Sequence, residues 1–554
     1  MNHPEQQVTI SNLEIPVKEL LEISSASWER RLHPWIAKRC GINEQDVLSC
    51  EIRHRSLDAR RKPDIKYIYH LNVNVRANSP VREDAHIVVS TPEPDQEHPL
   101  YHLPLRGPVP EHPVIVGTGP AGLMAAYLLA LYGCKPLILD RGPNVDQRRA
   151  DIEHFLHTRQ LNPESNYLFG EGGAGTYSDG KLYTRIKDHR IKFLLEVYVA
   201  ARAPRRIVYD AHPHIGSDIL PYMVKRLRRQ IEAWGGMFRW NAAVADVLIK
   251  KDRCQGVILR SGEIIESPFT LIACGHSARD LIQQLVQHRI RHQLKDFQLG
   301  CRIEHSQQLI DQGQYGWIPP RQLVDAAEYQ FTSRPTVTSR AAKATTFCMC
   351  PGGEIIAATS DPEHLCTNGM SPFLRNGRYA NAGLIVNQPA AQFSTADQAF
   401  EMLATLERQA FALGAGSDQE FAYRCPAQNA RAFVRGEAGL ASQTTSYRLG
   451  ITAARLDQLL PSATVHALRE ALQSFEKLIP GFLRDGVLLG VETRVSSPVR
   501  FERNPETLSS SLPGLYLAGE GAGYAGGITS AALDGLRLAE TILTGVPATR
   551  KTET

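Results

Sequence analysis

Cys348 and Cys350 flank a single methionine in Thr346-Phe-Cys-Met-Cys-Pro-Gly-Gly353. In a strand, alternation puts both thiols on one face, and a dithiol placed there can relay electrons. A Cys-x-Cys disulfide closes a strained ring, however, and cysteine is commonly just a buried residue. Packing, a redox or substrate-facing role, and metal ligation together with Cys366 all stay open. Two or three cysteines without clustered histidines make a poor zinc site, so no metal is expected. His212, His214, Arg302, His305 and Arg494 can assemble a polar pocket. Histidines would act there as general bases and arginines as bidentate carboxylate binders. Each of the five can equally be structural, with Glu492 as the ion-pair partner of Arg494.

Two glycine-rich turns, roughly 400 residues apart, must position this chemistry. The first lies in His112-Pro-Val-Ile-Val-Gly-Thr-Gly-Pro-Ala-Gly122. Val114–Val116 reads as a strand buried on both faces. Gly117 then allows a tight turn, Gly119 a close backbone approach to phosphate, and Gly122 close packing of helix on strand. Pro120 and Ala121 open an apolar helix whose N-terminus favours a pyrophosphate. Asp140 ends the next strand where a carboxylate would meet adenosine ribose hydroxyls, with Arg141 beside it.

The second turn is Gly514-Leu-Tyr-Leu-Ala-Gly-Glu-Gly-Ala-Gly-Tyr-Ala-Gly-Gly-Ile528. Gly519 and Glu520 follow a short buried strand, and Glu520 is placed to meet a ribityl hydroxyl. Gly526, Gly527 and Ile528 open a helix whose positive end would face the pyrimidine edge of a flavin. One such turn suggests a dinucleotide, whereas the pair suggests FAD. The strand ending Ala273-Cys-Gly275 supports it, and a residue near Val244, in a small meander, would meet adenine. In the Gly170–Lys181 loop, Gly172, Gly173 and Gly175 permit close backbone approach and Thr176 and Ser178 can donate hydrogen bonds. Lys181 would neutralise phosphate or stand near flavin N5 or a substrate anion. No second G-x-G-x-x-G lies between the two turns, so no separate NAD(P) domain is expected.

The whole chain has 554 residues, 43% hydrophobic and 22% charged, with a net charge of +4. These values suit a globular protein of two or three domains and make no case for a nucleic-acid binder. No apolar run is long enough to span a bilayer, and the start lacks the basic and apolar regions of a signal peptide. Ten cysteines without framework spacing fit reduced thiols. A cytoplasmic location without membrane contact is expected.

The fold class expected is α/β: a Rossmann-like, glutathione-reductase-like FAD-binding domain with an inserted mixed α/β substrate domain and a small N-terminal α/β module. The module spans 1–108, the discontinuous FAD-binding domain 109–295 and 480–548, and the insertion 296–479. Within the module, Val17–Cys40 reads as a helix with Trp28, Leu32, Trp35 and Ile36 on one face, and Val47–Ser56 and Tyr67–Val75 as strands. Arg53, Arg55, Arg60, Arg61 and Lys62 form either a solvated basic face or a site for an anionic partner.

Several long motifs carry a resemblance. They are Phe169-Gly-Glu-Gly-Gly-Ala-Gly-Thr-Tyr-Ser-Asp-Gly-Lys-Leu-Tyr-Thr-Arg185, His212-Pro-His-Ile-Gly-Ser-Asp218, Gly300-Cys-Arg-Ile-Glu-His305, Thr346–Gly353, Gly490-Val-Glu-Thr-Arg-Val-Ser-Ser-Pro498 and the Gly519–Ile528 turn. Over nearly its whole length the chain resembles the bacterial family of uncharacterised FAD-dependent dehydrogenases, which carry an N-terminal α/β module. The resemblance implies a flavoprotein fold and FAD but no substrate. The expected function is an FAD-dependent oxidoreductase passing a hydride between flavin N5 and an unidentified small molecule. NAD(P)H would be an electron donor bound without a domain of its own. The alternatives are a non-catalytic FAD-containing redox sensor or partner-binding flavoprotein, and a flavin enzyme acting on RNA or another polyanion.

Overall fold

The computed structural model describes residues 5–22, 30–90, 97–105, 110–333, 342–416, 419–440 and 444–545. Three short apolar strands, Val114–Val116, Leu137–Leu139 and Thr270–Ile272, have no polar face to show to water. They accordingly lie inside a five-stranded parallel sheet in the order Leu515–Leu517, Thr270–Ile272, Val114–Val116, Leu137–Leu139, Met237–Arg239. The helix Pro120–Leu131 is buried along almost its whole length. It meets the C-terminal helix Ile528–Thr544 so closely that a Cβ on Gly535 would lie 2.1 Å from the Ala121 carbonyl. This contact brings both glycine turns to the same edge of the sheet. An antiparallel meander, Val244–Lys250, Arg253–Leu259 and Ile264–Glu266, covers its flank.

A second sheet of seven strands is ordered Thr367–Met370, Ala344–Ala357, Tyr379–Gln388, Phe297–Ser306, Val487–Glu492, Cys425–Asn429, Ile451–Ala453. Its membership moves one expected boundary. Val487–Glu492 pairs with Phe297–Ser306 and Cys425–Asn429, so the insertion runs past 479 through the strand that carries Glu492. The chain returns to the FAD-binding half through Val499–Phe501, which pairs with His292–Leu294.

The N-terminal sheet is ordered Val47–Asp58, Lys66–Arg76, Glu5–Pro16, Ile87–Ser90. The expected long helix over Val17–Cys40 is instead a short 3-10 turn at Val17–Glu22 and a helix at His33–Cys40. Pro34, in the first turn of that helix, lacks the N–H that a continuing helix would need, so it starts a helix here rather than lying within one. Trp28 and the 108/109 boundary lie outside the described residues. The module's apolar side chains merge into one core with the seven-stranded sheet, joined by Tyr67 Oη donating to Leu323 O at 2.8 Å. Leu100, just before the linker, packs instead beneath the Pro120–Leu131 helix, with the FAD-binding half. Among the described residues, no helix is long and apolar enough to cross a membrane.

Candidate functional site

A cavity of about 730 Å³ runs from the C-terminal ends of the parallel strands to the face of the seven-stranded sheet. At its floor, Gly117 has φ +103°, and a Cβ there would lie 2.4 Å from the Ala273 carbonyl oxygen. Gly119, by contrast, has nothing within 4 Å of its Cβ position, and neither have Gly275 and Gly526. Three backbones from three separate strand ends thus lie open to one space. Gly122 stands off the cavity wall and serves packing, since a Cβ there would strike the Gly117 carbonyl at 1.9 Å.

The helices Pro120–Leu131 and Ile528–Thr544 both begin on this cavity, with Pro120, Ala121, Gly527 and Ile528 in its wall. Two helix N-termini direct partial positive charge and free N–H groups into one space, which suits a diphosphate and an electron-rich ring. Gly519, Val244 and Ala273 also line it. Burial pushes the Glu520 carboxyl up to about 8, with Lys295 opposing, so at neutral pH it is a proton donor toward the cavity. These residues fit FAD. Open backbone, two helix dipoles and a hydrogen-bond donor meet in one cavity of about 730 Å³.

Asp140 and Arg141 line the cavity, but their polar atoms are largely committed. Asp140 Oδ2 accepts from Thr118 N at 2.9 Å and Thr118 Oγ at 2.5 Å, and Oδ1 accepts from Gly142 N at 2.9 Å. Its carboxylate therefore clamps the first turn to the next strand end while still lining the cavity. Arg141 lies over the Phe169 ring at 4.1 Å and pairs with Glu164 and Asp280, so its charge is already compensated.

The Gly170–Lys181 loop passes directly against the first turn. A Cβ on Gly173 would approach Gly119 Cα to 3.1 Å, and Gly172 N donates to Thr118 O at 3.1 Å. Gly173, Gly175 and Ser178 line the cavity. Gly172 and Thr176 do not, contrary to expectation. Thr176 turns inward and donates to Glu171 O at 3.2 Å, filling the space beside Gly172. The residue that shapes the loop is Arg148, which nothing in the sequence singled out. Fully buried, it donates to the carbonyls of Asn166, Gly170, Glu171 and Gly173 at 2.8–3.2 Å. Its only sequence trace is a cation on an otherwise amphipathic helix, Val145–Thr158.

The opposite wall is charged and internally neutralised. Lys181 Nζ donates to Glu328 at 2.8 Å, and His212 Nδ1 lies 2.5 Å from the other oxygen of the same carboxylate. Burial opposes it, but Glu328 and Asp179 hold the Lys181 ammonium above its ordinary value. Lys181 and His212 in turn keep Glu328 well below the usual carboxylate range. Arg375 forms a two-bond pair with Asp179 at 2.9 and 2.5 Å. Glu328 and Arg375 come from the insertion, where no spacing marks them. Arg494 lines the cavity as well, held by Ser360 at 2.8 Å, Asp361 at 2.5 Å and Glu407 at 3.1 Å.

Of the remaining candidates, Cys348 faces the cavity, whereas His214, His305, Arg302 and Cys350 are removed from its surface. His214 and His305 each give Nε2 to a backbone carbonyl, of Phe373 and Phe482 respectively, at 2.9 Å, and burial depresses both imidazoles. They are core histidines. Cys366 is separate from the cysteine pair and accepts from Thr493 N at 3.5 Å. His276, on the Ala273–Gly275 strand end, was overlooked in the sequence. It lines the cavity, its buried Nε2 has no partner, and burial lowers its imidazole to about 4.

Residues 112–159 match the FAD binding domain family, residues 296–495 the family "FAD-dependent protein, C-terminal domain-like", and residues 8–74 a domain of unknown function. An uncharacterised protein from Clostridium beijerinckii is 36% identical over 541 residues, covering 97% of this chain and 98% of its own. The chain belongs to this family of FAD-dependent flavoproteins. FAD is its cofactor. The solved structures to which the chain is similar are distant. A geranylgeranyl bacteriochlorophyll reductase-like protein from Thermoplasma acidophilum is 12% identical, with 79% of this chain and 78% of that one covered and a TM-score of 0.33. L-proline dehydrogenase from P. horikoshii is 11% identical, with 79% and 95% covered and a TM-score of 0.31.

Proposed function

We propose that the protein is an FAD-dependent oxidoreductase, with a glutathione-reductase-like FAD-binding domain and an inserted substrate domain, that transfers a hydride between flavin N5 and a small organic molecule. The observation that carries this reading is the continuity of one cavity from the two glycine turns to the Lys181–Glu328–His212 and Asp179–Arg375 wall. Bound FAD would supply the hydride chemistry. The chain's own residues bind, orient and shield. The Gly119 and Gly526 backbones and the two helix N-termini hold the cofactor, and Arg148 fixes the loop that passes between them. On the far wall Lys181 and His212 share Glu328 and Arg375 pairs with Asp179, while Arg185 adds a further cation to the lining, so a substrate meets fixed hydrogen-bond donors and acceptors beside that charge. Tyr183, exposed, lines the same cavity with its ring tilted against His212 at 5.3 Å between centroids. Lys181 and His212, which share Glu328, are the groups placed to hold or move a proton at that wall.

Purified protein should be yellow and release FAD on denaturation. Anaerobic mixing with NADH, NADPH and a panel of metabolites should bleach the flavin band with at least one of them. A protein that takes up no FAD, or whose bound flavin none of them reduces, defeats the reading.

A further inference from the structure

In a regular strand, side chains two residues apart stand too far apart for a disulfide, whose Cβ atoms must lie within about 4.5 Å. Ala344–Ala357 is not regular at this point. Phe347 pairs with Gly383 and Cys350 with Asn381, so two residues, Cys348 and Met349, oppose the single Ala382. The bulge sets Cys348 at φ +43°, a left-handed conformation that a cysteine rarely adopts. The result is contact. The Cys350 thiol turns back on the bulge and donates to the Cys348 carbonyl oxygen at 3.3 Å. Strain of this kind in a cavity wall needs a compensating role.

The surroundings favour a reactive sulfur. Arg302, wholly buried, donates through one NH₂ to Cys348 O at 2.7 Å and through the other to Asn368 Oδ1 at 3.0 Å, fixing its charge behind the bulge. Gly369 leaves the space in which that guanidinium meets Cys350, since a Cβ there would lie 3.0 Å from both Arg302 NH1 and Cys350 Sγ. The Cys350 hydrogen bond, then Arg302 and Lys181, pull the Cys348 thiol down to about 6 against burial, while Cys350 is pushed up and keeps its proton. One sulfur is thus an accessible thiolate on the cavity and the other a protonated thiol directly behind it.

We propose that Cys348 and Cys350 are a redox-active dithiol built into the wall of the flavin cavity, giving the protein a second two-electron store beside FAD. In the oxidising direction, the Cys348 thiolate and the Cys350 thiol form one S–S bond. The two electrons and the Cys350 proton pass to oxidised FAD, which is left reduced with one more negative charge, so atoms and charge balance. In the reverse direction reduced FAD opens the disulfide and Cys350 regains the proton. The flavin half of this exchange rests on the oxidoreductase reading above, while the dithiol itself does not.

The test has two readouts. The first counts thiols in denatured protein after diamide oxidation and removal of excess reagent. It should find eight alkylatable cysteines of the ten in the chain, a mass 2 Da lower, and a bridge that peptide mapping places at Cys348–Cys350. The second titrates the oxidised holoprotein with dithionite under anaerobic conditions. It should take up four electrons per FAD, and Cys350→Ser should take up two. Ten thiols after oxidation, a bridge elsewhere, or two-electron uptake by the natural chain overturns the proposal, and the thiol count requires no variant to fold. The bridge in a protein that holds no FAD would refute the flavin reading alone. A flavin that bleaches beside ten free thiols would refute the dithiol alone.

Discussion

Glu492→Gln isolates the most exposed weakness of the buried wall. Both oxygens of Glu492 lack a hydrogen-bond partner, and the nearest cation, Arg302 Nε, stands 3.6 Å away. Burial outweighs that attraction and raises the carboxyl from its ordinary 4.5 to about 7. A carboxyl raised on folding stabilises the native state below its unfolded value, and this contribution is lost as pH rises through the folded one. The whole shift is worth ~3 kcal/mol, of which ~2 kcal/mol is lost between pH 5.5 and pH 8. Glutamine has the same shape and no proton to lose, so the variant should escape this loss. Thermal unfolding of natural protein and variant should be compared at both pH values, with FAD either saturating or absent throughout. The difference in Tm should move in the variant's favour by ~4–8 °C on going from pH 5.5 to pH 8, at ~2–4 °C per kcal/mol for a unit of this size. Parallel Tm–pH profiles, or a movement in favour of the natural protein, would refute the reasoning.

Gly119→Val should leave apoprotein Tm within a few degrees while lowering FAD occupancy at least tenfold, because the added side chain enters only the cavity. Gly117→Ala should instead cost at least ~3 kcal/mol of folding, from a left-handed backbone and the Ala273 carbonyl at 2.4 Å; equal Tm for the two variants would contradict the assignment. Arg148→Lys keeps the charge but cannot reach four carbonyls in a fixed fork, so retained FAD should fall and proteolysis within 170–181 should rise; an unchanged digest would count against it. Glu407→Ala strips the shared carboxylate from buried Arg494 and half-buried Arg279 and should cost ~3–5 kcal/mol by denaturant unfolding. The two arginines hold Glu407 down at about 2 against burial, so Glu407→Gln should also flatten the stability lost as pH falls from 4.5 toward 2.

The cofactor half of the site was legible because its chemistry is backbone chemistry. Gly117, Gly119 and Gly122 have different duties that only glycine performs, and their spacing is set by one strand, one turn and one helix, all local in sequence. Asp140 shows where this legibility stops. Its position was evident, but that its oxygens would be taken by Thr118 and Gly142 depends on two turns meeting in space. The far wall is non-local throughout. Lys181 finds Glu328 across 147 residues and Asp179 finds Arg375 across 196, and no periodicity marks either partner. His214 and His305 misled for a related reason. A motif fixes their place in the chain, and only the fold shows that each ends on a backbone carbonyl. For Cys348 and Cys350, alternation predicts a shared face, whereas the bulge set by pairing with Tyr379–Gln388 leaves Cys348 on the cavity and Cys350 behind it.

The N-terminal module has a consequence for that same wall. Arg55, on the module, holds Asp210 through two bonds at 2.8 and 2.9 Å. Asp210 also takes Arg206 at 2.6 Å, and Arg206 reaches Asp325, three residues before Glu328. Tyr67 fixes Leu323 in the same segment, and Lys62 Nζ meets Gly313 O at 2.5 Å. The basic stretch is thereby divided. Arg55 is half-buried and paired with Asp210 and Lys62 is tied to the insertion, while Arg60 is solvated and answered by its neighbour Asp58. Arg55 and Tyr67 are therefore the residues through which the module sets the position of Glu328 opposite Lys181. Because the apolar core is continuous from Val8 to Val491, displacing the module would expose both its own sheet and the sheet that carries Cys348. The module is thus joined to the substrate side of the cavity by packing as well as by charge, so the two should unfold as one unit.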